Sequence, residues 1–190
     1  MNSLVKIILN IIPRSILTRL SFLLKPLIKI YLRGNKYVDP IDGSSFRKFL
    51  PYGYNNVREN ALSPSTFSLE RHRLLWLYLK NETDFFNKNL KVLHFAPEVA
   101  FLEKFKKLKN ISYDTIDLDS PLANIKADIC DLPLDNESYD FILCNHVLEH
   151  IIDDKKAMQE LYRVLKKDGI GIFQVPLNIL NKKTYEDFTI

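Results

Sequence analysis

Polar side chains directly follow short apolar runs in the second half of the chain. Asp117 closes the run YDTID, Asp128 follows IKA, and Asn145 with His146 follows FILC. Carboxylates accept hydrogen bonds from a ligand, and an imidazole can take up a proton near neutral pH. These residue types indicate a ligand site with proton-transfer chemistry, provided that the fold brings them together.

Residues 89–176 alternate strand-like and helix-like segments. The strand-like runs are Lys91–Phe95, Ser112–Ile116, Tyr139–Cys144 and Ile170–Val175, with a weaker one at Lys126–Ile129. Helical spacing predicts helices at Pro97–Leu108 and Asp153–Lys167. This alternation predicts an α/β fold with a Rossmann-like, doubly wound, mostly parallel sheet. Such sheets bind ligands beyond the carboxyl ends of their strands, where the polar residues fall.

Four sequence motifs occur in order along these segments. They are Ala127–Pro133 (ADICDLP), Tyr139–Asn145 (YDFILCN), His146–His150 (HVLEH) and Leu161–Gly169 (LYRVLKKDG). Together they resemble class I S-adenosylmethionine-dependent methyltransferases of the type 11 group, over nearly all of residues 89–176. No single motif is specific, but four in this order on alternating strands and helices are. The resemblance implies an enzyme that transfers a methyl group from S-adenosylmethionine to an acceptor.

The resemblance also implies which residues hold the cofactor. Asp117, with Leu118 beside it, would accept hydrogen bonds from the ribose hydroxyls, and Asp119 is the alternative. Asp128 would accept a hydrogen bond from the adenine amino group, and the backbone of Ile129 would face the ring. For each aspartate, a solvated turn or a helix cap is the structural alternative.

Three further residue types follow the fourth strand. Asn145 would lie close to the transferred methyl group. His146 is nearest to the strand end and is the best candidate for a general base. Glu149 and His150 are expected on a helix, where capping or packing roles are favoured.

The loop after the first strand departs from the glycine-rich loop of the family. Ala96 is small enough to stand in for a glycine, and Pro97 suits the first turn of a helix. Glu98 occupies another usual glycine position. There it would either meet the ammonium group of the cofactor or interact with the helix N-terminus. Ala96, Pro97 and Glu98 complete the predicted cofactor-binding set.

Residues 1–36 are predicted to form an amphipathic, basic helical segment. They contain seven Lys or Arg and no acidic residue, and polar residues recur every three or four positions. Pro13 and Pro26 are expected to kink or split the helix. The segment has no uncharged run of about 18 apolar residues, so it is not expected to span a membrane. We expect peripheral contact with a membrane, and packing on the body is the alternative.

Residues 37–67 contain two similar turns, DPIDG from Asp39 and SPSTF from Ser63. Their spacing resembles the two knuckles of a zinc ribbon, with Asp39, Asp42, Ser63 and Thr66 at the cysteine positions. Neutral hydroxyls are poor zinc ligands, so we expect a ribbon-like region without metal. Two unrelated turns are the alternative.

Residues 68–190 are predicted to form the methyltransferase core. A helix at Ser68–Leu79 is expected to cover one face of the sheet. The residues after Val175 are too few for the last two strands and helix of the family, so we expect a truncated core. A cofactor-binding module without turnover is the alternative function. A nicotinamide-dependent oxidoreductase is disfavoured, because no GxGxxG follows the first strand.

The net charge of +4 conceals an asymmetry along the chain. Residues 1–36 carry +7 and the remainder carries −3, which disfavours nucleic acid as the partner of the body. We expect a small-molecule or saccharide acceptor. Two cysteines without framework spacing, Cys130 and Cys144, are typical of a reducing compartment. The expected location is therefore the cytoplasm, at the inner face of the membrane.

Overall fold

The computed structural model describes residues 14–53 and 56–177, with side chains from residue 23 onward. The chain divides into two compact units, Met1–Glu82 and Thr83–Ile190. The elements of the first unit are α1 (Arg14–Tyr31), β1 (Arg33–Val38), β2 (Ser45–Phe46), β3 (Leu50–Tyr52), β4 (Arg58–Leu62) and α2 (Glu70–Asn81). No helix among the described residues is both long and apolar enough to cross a membrane.

Helix α1 differs from the prediction at Pro26 and at its end. It continues through Pro26, which neither splits it nor ends it. It stops at Tyr31 because the next residues form β1, which pairs antiparallel with β2. Ile28 of the helix packs against a small core that contains Leu32 and Phe46. Pro13 lies outside the described residues.

The two turns of the first unit have the same backbone hydrogen bonds. In the first turn the Asp39 N–H donates to the Ser44 carbonyl at 2.9 Å, and in the second the Ser63 N–H donates to the Ser68 carbonyl at 2.9 Å. The side chains at the four cysteine-like positions each accept the backbone N–H of the residue two positions later. The two turns are therefore structurally equivalent, and we call them the knuckles.

Asp39 lies between the two knuckles and is fully buried. Its Oδ2 accepts hydrogen bonds from the hydroxyls of Thr66 at 2.5 Å, Ser68 at 3.3 Å and Ser65 at 3.4 Å. Ser68 therefore belongs to this cluster, and Leu69 is the N-cap of α2. Within the described residues, no group of three or more His, Cys, Asp or Glu could hold a metal ion.

Helix α2 belongs to the first compact unit, whereas the sequence led us to place it with the sheet. Glu70 pairs with Arg58 of β4 at 3.1 Å. Arg73 donates to the carbonyls of Ala61 at 3.0 Å and Ser68 at 2.7 Å. These polar contacts connect α2 to β4 and to the second knuckle, and no apolar periodicity reveals them.

The second unit contains the parallel sheet. Its elements are β5 (Leu90–Phe95), α3 (Val99–Phe105), β6 (Ile111–Asp117), β7 (Ile125–Lys126), β8 (Tyr139–Asn145), a 3₁₀ turn (Leu148–His150), α4 (Asp154–Val164) and β9 (Leu165–Gln174). The strand order is β7-β6-β5-β8-β9, and every pair is parallel. The predicted α/β, Rossmann-like fold is confirmed.

Both faces of this sheet are covered. Alternate strand residues point to opposite faces, so Leu93 and Ile142 join Ala157, Leu161 and Val164 of α4 in one core. On strand β8 the neighbouring Phe141 contacts the Phe85 ring, which also contacts Phe105 of α3. A sheet covered on both faces leaves its strand ends as the place for a ligand.

Two helix boundaries differ from the prediction. The helix predicted to end at Lys167 ends at Val164, because Leu165 is already extended and pairs with Tyr139. Lys166 lies in β9 and donates to Asp140 of β8 at 2.8 Å. The helix predicted for Pro97–Leu108 spans only Val99–Phe105.

Candidate functional site

The carboxyl ends of the five parallel strands of the second unit meet along one edge of the sheet. Phe95 is level with both Ile116 and Cys144, and Asn145 is level with Gln174. Asp117 and Lys126 are likewise paired. The residues that follow these positions carry all of the predicted site side chains, so the fold brings them to one edge.

Ala96 begins the loop after β5 in a left-handed conformation, with φ of +46°. Its N–H donates to the Ile116 carbonyl at 2.9 Å, which extends the sheet by one hydrogen bond. A positive φ is easily adopted by glycine and costly for other residues. Pro97 is buried, but it lies before the N-cap of α3, so its predicted place in the first turn is wrong.

Glu98 is the N-cap residue of α3, but its side chain makes no cap hydrogen bond. Its Oε2 lies 2.6 Å from Nε2 of the fully buried His94. The other ring nitrogen of His94, Nδ1, lies 2.7 Å from the Tyr113 hydroxyl. The carboxylate therefore lies at the helix N-terminus but makes its hydrogen bonds to side chains and not to the first turn.

The hydrogen atoms of this network can be assigned from chemistry. A carboxylate only accepts, so His94 donates from Nε2 to Glu98, and Nδ1 shares the second hydrogen bond with the Tyr113 hydroxyl. Burial, with the nearby charge of Glu98, raises the pKa of Tyr113 well above its usual value, so the phenol keeps its proton. The carboxylate of Glu98 is thus held in one orientation.

Asn145 ends β8 and is 3% exposed. Its Nδ2 donates to Glu98 Oε1 at 3.3 Å, which fixes the amide orientation because the carboxylate cannot donate. Among the described residues, no donor reaches its buried Oδ1. A buried acceptor without a partner is costly, so this oxygen is a candidate for contact with a bound ligand.

Asp117 ends β6 and organises the turn that follows it. Its Oδ1 accepts the N–H of Asp119 at 2.9 Å and of Ser120 at 2.7 Å. Within the described part of the chain, Oδ2 has no such partner and remains available to a ligand. Leu118 is 64% exposed at this edge. Asp119, the predicted alternative, contributes its backbone N–H to this turn.

Asp128 follows β7 and is exposed. Its Oδ1 accepts the Cys130 N–H at 2.8 Å, so one oxygen holds the turn as it does in Asp117. Ile129 is 6% exposed and packs into the core below the sheet edge. The side chain is therefore directed into the core, and the backbone of Ile129 stays the predicted point of contact with the adenine ring.

His146 follows Asn145 with φ of +55°, and its N–H donates to the Gln174 carbonyl at 2.7 Å. Its Nδ1 lies 3.1 Å from Glu149 Oε1, and its side chain is 33% exposed. The sequence suggested that Glu149 lies on a helix, whereas the structure places it in the 3₁₀ turn. A carboxylate at Nδ1 fixes the tautomer and leaves Nε2 as a base.

Cys144 lies directly below these groups. Burial raises the pKa of its thiol to about 12, and the charges of Glu149 and Glu98 add to this effect. The thiol is therefore protonated at neutral pH and is no nucleophile. Glu98 contacts Asn145 and Glu149 contacts His146, so the two carboxylates flank the end of β8.

Sequence reasoning missed His94, Tyr113 and the partnership of Glu149 with His146. A histidine within the apolar run KVLHF, followed by Glu98 four residues later, was the available signal. No comparable sequence signal marked Tyr113, because its contact with His94 depends on the pairing of β5 with β6.

Residues 83–173 match a family described as a methyltransferase domain. A demethylmenaquinone methyltransferase of Chlamydia caviae is 35% identical over 57 residues, which are 30% of this chain and 25% of that protein. An uncharacterised protein of Methanocaldococcus jannaschii is 29% identical over 150 residues, covering 60% of this chain and 66% of that protein. An S-adenosylmethionine-dependent methyltransferase of Aquifex aeolicus has a similar structure, with a TM-score of 0.41 and 17% identity over 51% of this chain and 58% of that one.

These matches cover between 25% and 66% of the lengths of the curated relatives. The family match falls on the second unit and contains every predicted site residue. The parallel sheet and the polar groups at its carboxyl edge agree with it. Residues 83–173 are therefore similar to a methyltransferase domain, and the similarity coincides with the parallel sheet and the groups at its carboxyl edge.

Proposed function

We propose that this protein is an enzyme that transfers a methyl group from S-adenosylmethionine to an acceptor at the carboxyl edge of its sheet. One observation carries the proposal. The buried Asn145 Oδ1, which no described donor reaches, lies at the edge where Ala96 adopts a left-handed backbone. An unpaired acceptor and a backbone that permits close approach both fit a bound ligand with donor groups.

The cofactor offers donors that match the acceptors of this edge. Oδ2 of Asp117 would accept from the ribose hydroxyls, since Oδ1 is already used in the turn. The second oxygen of Asp128 would accept from the adenine amino group in the same way. Glu98 and Asn145 Oδ1 would receive the ammonium group, because these side chains, from the loop after β5 and the end of β8, are hydrogen-bonded to each other.

His146 is the proposed general base. The bound cofactor supplies an electrophilic methyl group on its sulfonium. A hydroxyl or amine acceptor that attacks this carbon must lose a proton, and His146 Nε2 would take it while Nδ1 donates to Glu149. Glu149 would stabilise the imidazolium that results.

A cofactor-binding module without turnover is the second candidate. It keeps the Asp117, Asp128 and Glu98 contacts and differs only in catalysis. Formation of S-adenosylhomocysteine distinguishes the two candidate functions. The binding module would bind S-adenosylmethionine but would form no S-adenosylhomocysteine with any acceptor.

We further propose a small-molecule or saccharide acceptor and a cytoplasmic location. Residues 83–190 contain 14 Lys or Arg and 18 Asp or Glu, a balance that repels polyanions such as nucleic acids. Cys130 and Cys144 are both free thiols, which favours a reducing compartment.

Calorimetry with S-adenosylmethionine tests the cofactor site. A charge-assisted hydrogen bond contributes about 1.5–3 kcal/mol, so Asp117→Ala should weaken binding roughly tenfold to a hundredfold. Asp128→Ala should cost less, because the contacts to the adenine ring and the Ile129 backbone remain. Asp135→Ala, in the loop between β7 and β8, is the matched control and should change little.

Two outcomes would contradict the proposal. If the parent chain binds no S-adenosylmethionine, the site is not a cofactor site. If Asp135→Ala weakens binding as much as Asp117→Ala, the loss reflects general destabilisation and the roles of the aspartates are wrong.

A further inference from the structure

Helix α1 exposes the apolar side of its described part and buries very little of it. Leu23, Leu27, Ile30 and Tyr31 are 75%, 64%, 73% and 71% exposed. Their spacing of four, three and one residues places them on one face, which we call the α1 face. Ile28 lies on an adjacent side of the helix and packs on the small core with Phe46 and Phe49.

A cationic side chain borders the end of the α1 face, and further cations lie in the same hairpin. The Arg47 guanidinium lies 4.5 Å from the centre of the Tyr31 ring, directly at the edge of the face. Arg33 and Lys36 of β1, and Lys48 beside Arg47, are exposed in the same hairpin. An apolar surface bordered by cations is typical of a segment that lies in a lipid interface.

The nearby acidic residues do not neutralise these cations. Asp39 is buried and accepts hydrogen bonds from hydroxyl groups of the second knuckle. Asp42 accepts the Ser44 N–H and the Ser65 hydroxyl. Glu70 pairs with Arg58. The first unit contains 13 Lys or Arg and 5 Asp or Glu, a net charge of +8.

We propose that the α1 face docks on an anionic lipid surface. Leu23, Leu27 and Ile30 enter the acyl boundary, while Arg47 and its cationic neighbours contact lipid phosphates. Charge complementarity selects this occupant over a second copy of the same face, since two such faces would bring like charges together. The inference concerns the first unit and does not depend on methyl transfer.

Co-sedimentation of the full chain with vesicles tests the proposal. Binding to vesicles of phosphatidylcholine with phosphatidylglycerol should exceed binding to phosphatidylcholine alone and should weaken as salt is added. Leu27→Ser should lower the partition coefficient about tenfold, because one apolar side chain no longer enters the lipid. The side chain is exposed, so the substitution does not disturb the core.

Leu74→Ser on α2 is the matched control, since Leu74 is 65% exposed and Leu27 is 64% exposed. It should leave vesicle binding unchanged. Equal losses in the two variants, or no binding by the parent chain, would overturn the proposal. A dimer in light scattering that Leu27→Ser dissociates would also overturn it, because a second copy would then cover the face.

Discussion

Ala96 and His146 adopt left-handed backbones at the ends of adjacent strands, with φ of +46° and +55°. This conformation costs a residue with a Cβ about 1–2 kcal/mol, so it persists only where the surroundings impose it. Each N–H continues the sheet by donating to a neighbouring strand, at 2.9 Å for Ala96 and 2.7 Å for His146. The first loop lacks glycine but keeps the backbone shape that glycine would allow.

Glu98→Gln is expected to weaken binding of S-adenosylhomocysteine about tenfold, through loss of a charge-assisted contact with the ammonium group. 5′-Methylthioadenosine keeps the adenine and ribose but has no amino-acid end. Its affinity should therefore stay unchanged in the same variant. Calorimetry with both ligands makes the comparison, and retained methylthioadenosine binding shows that the variant is folded.

The matched control for this experiment is Glu103→Gln on α3, which removes the same charge from an exposed position on the helix that Glu98 caps. It should alter neither affinity. An equal loss of both ligands in Glu98→Gln would assign Glu98 a structural role in the loop and remove it from the amino-acid end of the site.

The sequence predicted the residues at the strand ends better than the contacts among them. Asp117, Asp128 and Asn145 could be predicted because each follows an apolar run whose end marks the sheet edge. The link from Glu98 to His94 could not, because it depends on side-chain direction and on a histidine buried in a strand. Binary patterning carries no information about which buried polar groups pair.

Among the elements, β5, β6 and β8 lie within two residues of their predicted bounds, because each is an apolar run flanked by polar segments. The start of β9 was missed for a physical reason. Val164 and Leu165 continue the apolar spacing of α4, so periodicity alone favours more helix. The break is set by pairing with β8, where the four residues 166–169 of β9 lie opposite the single residue Asp140 of β8.

Helix α4 also holds the loop that carries Leu132 and Leu134. Arg163 donates to both carbonyls, at 2.9 Å and 2.7 Å, and to Glu160 at 2.7 Å. The Leu132 N–H donates to Glu160 at 2.8 Å. The Arg163 hydrogen bond, with that of the Leu132 N–H, lowers the pKa of Glu160 from 4.5 to about 2.

This pKa shift predicts a loss of stability in acid. A carboxyl whose pKa is lower in the folded state stabilises the fold fully above its unfolded pKa, and the contribution disappears as protons bind. The free energy of unfolding should therefore fall as the pH drops from 4.5 to about 2, and Glu160→Gln should make this fall shallower. Urea denaturation at a series of pH values measures both slopes.

Glu103→Gln again serves as the control, because it removes an exposed carboxyl of the same unit. Its pH dependence should match that of the parent chain. Parallel curves for the parent chain and Glu160→Gln would mean that the ion pair with Arg163 does not persist in solution.

At the scale of the whole molecule, the chain consists of two units with different kinds of interior. The sheet unit has an apolar core under α4. The first unit centres on the polar cluster around Asp39, with a small apolar core beside it. Hydrophobic patterning could therefore predict the sheet unit, whereas only the spacing of Asp39, Asp42, Ser63 and Thr66 indicated the other.

Asp39→Ala is expected to destabilise the first unit by about 1–3 kcal/mol for each buried hydroxyl left without an acceptor. Asp42→Ala is the matched control from the same knuckle and should cost less, because Asp42 is exposed. Urea unfolding of both variants measures the difference. Equal effects would indicate that the buried carboxylate contributes no more than its exposed counterpart.

Because the two knuckles are linked through Asp39, we expect the first unit to fold independently of the zinc supply of the cell. A ribbon closed by four thiolates folds only as far as free zinc allows, since metal binding and folding are one equilibrium. Around Asp39 the same pair of turns is closed by groups that the chain itself supplies. We expect zinc starvation, or a chelator during refolding, to leave this unit's yield and melting temperature unchanged. Stoichiometric zinc in the purified protein, or a chelator-dependent melting temperature, would contradict this.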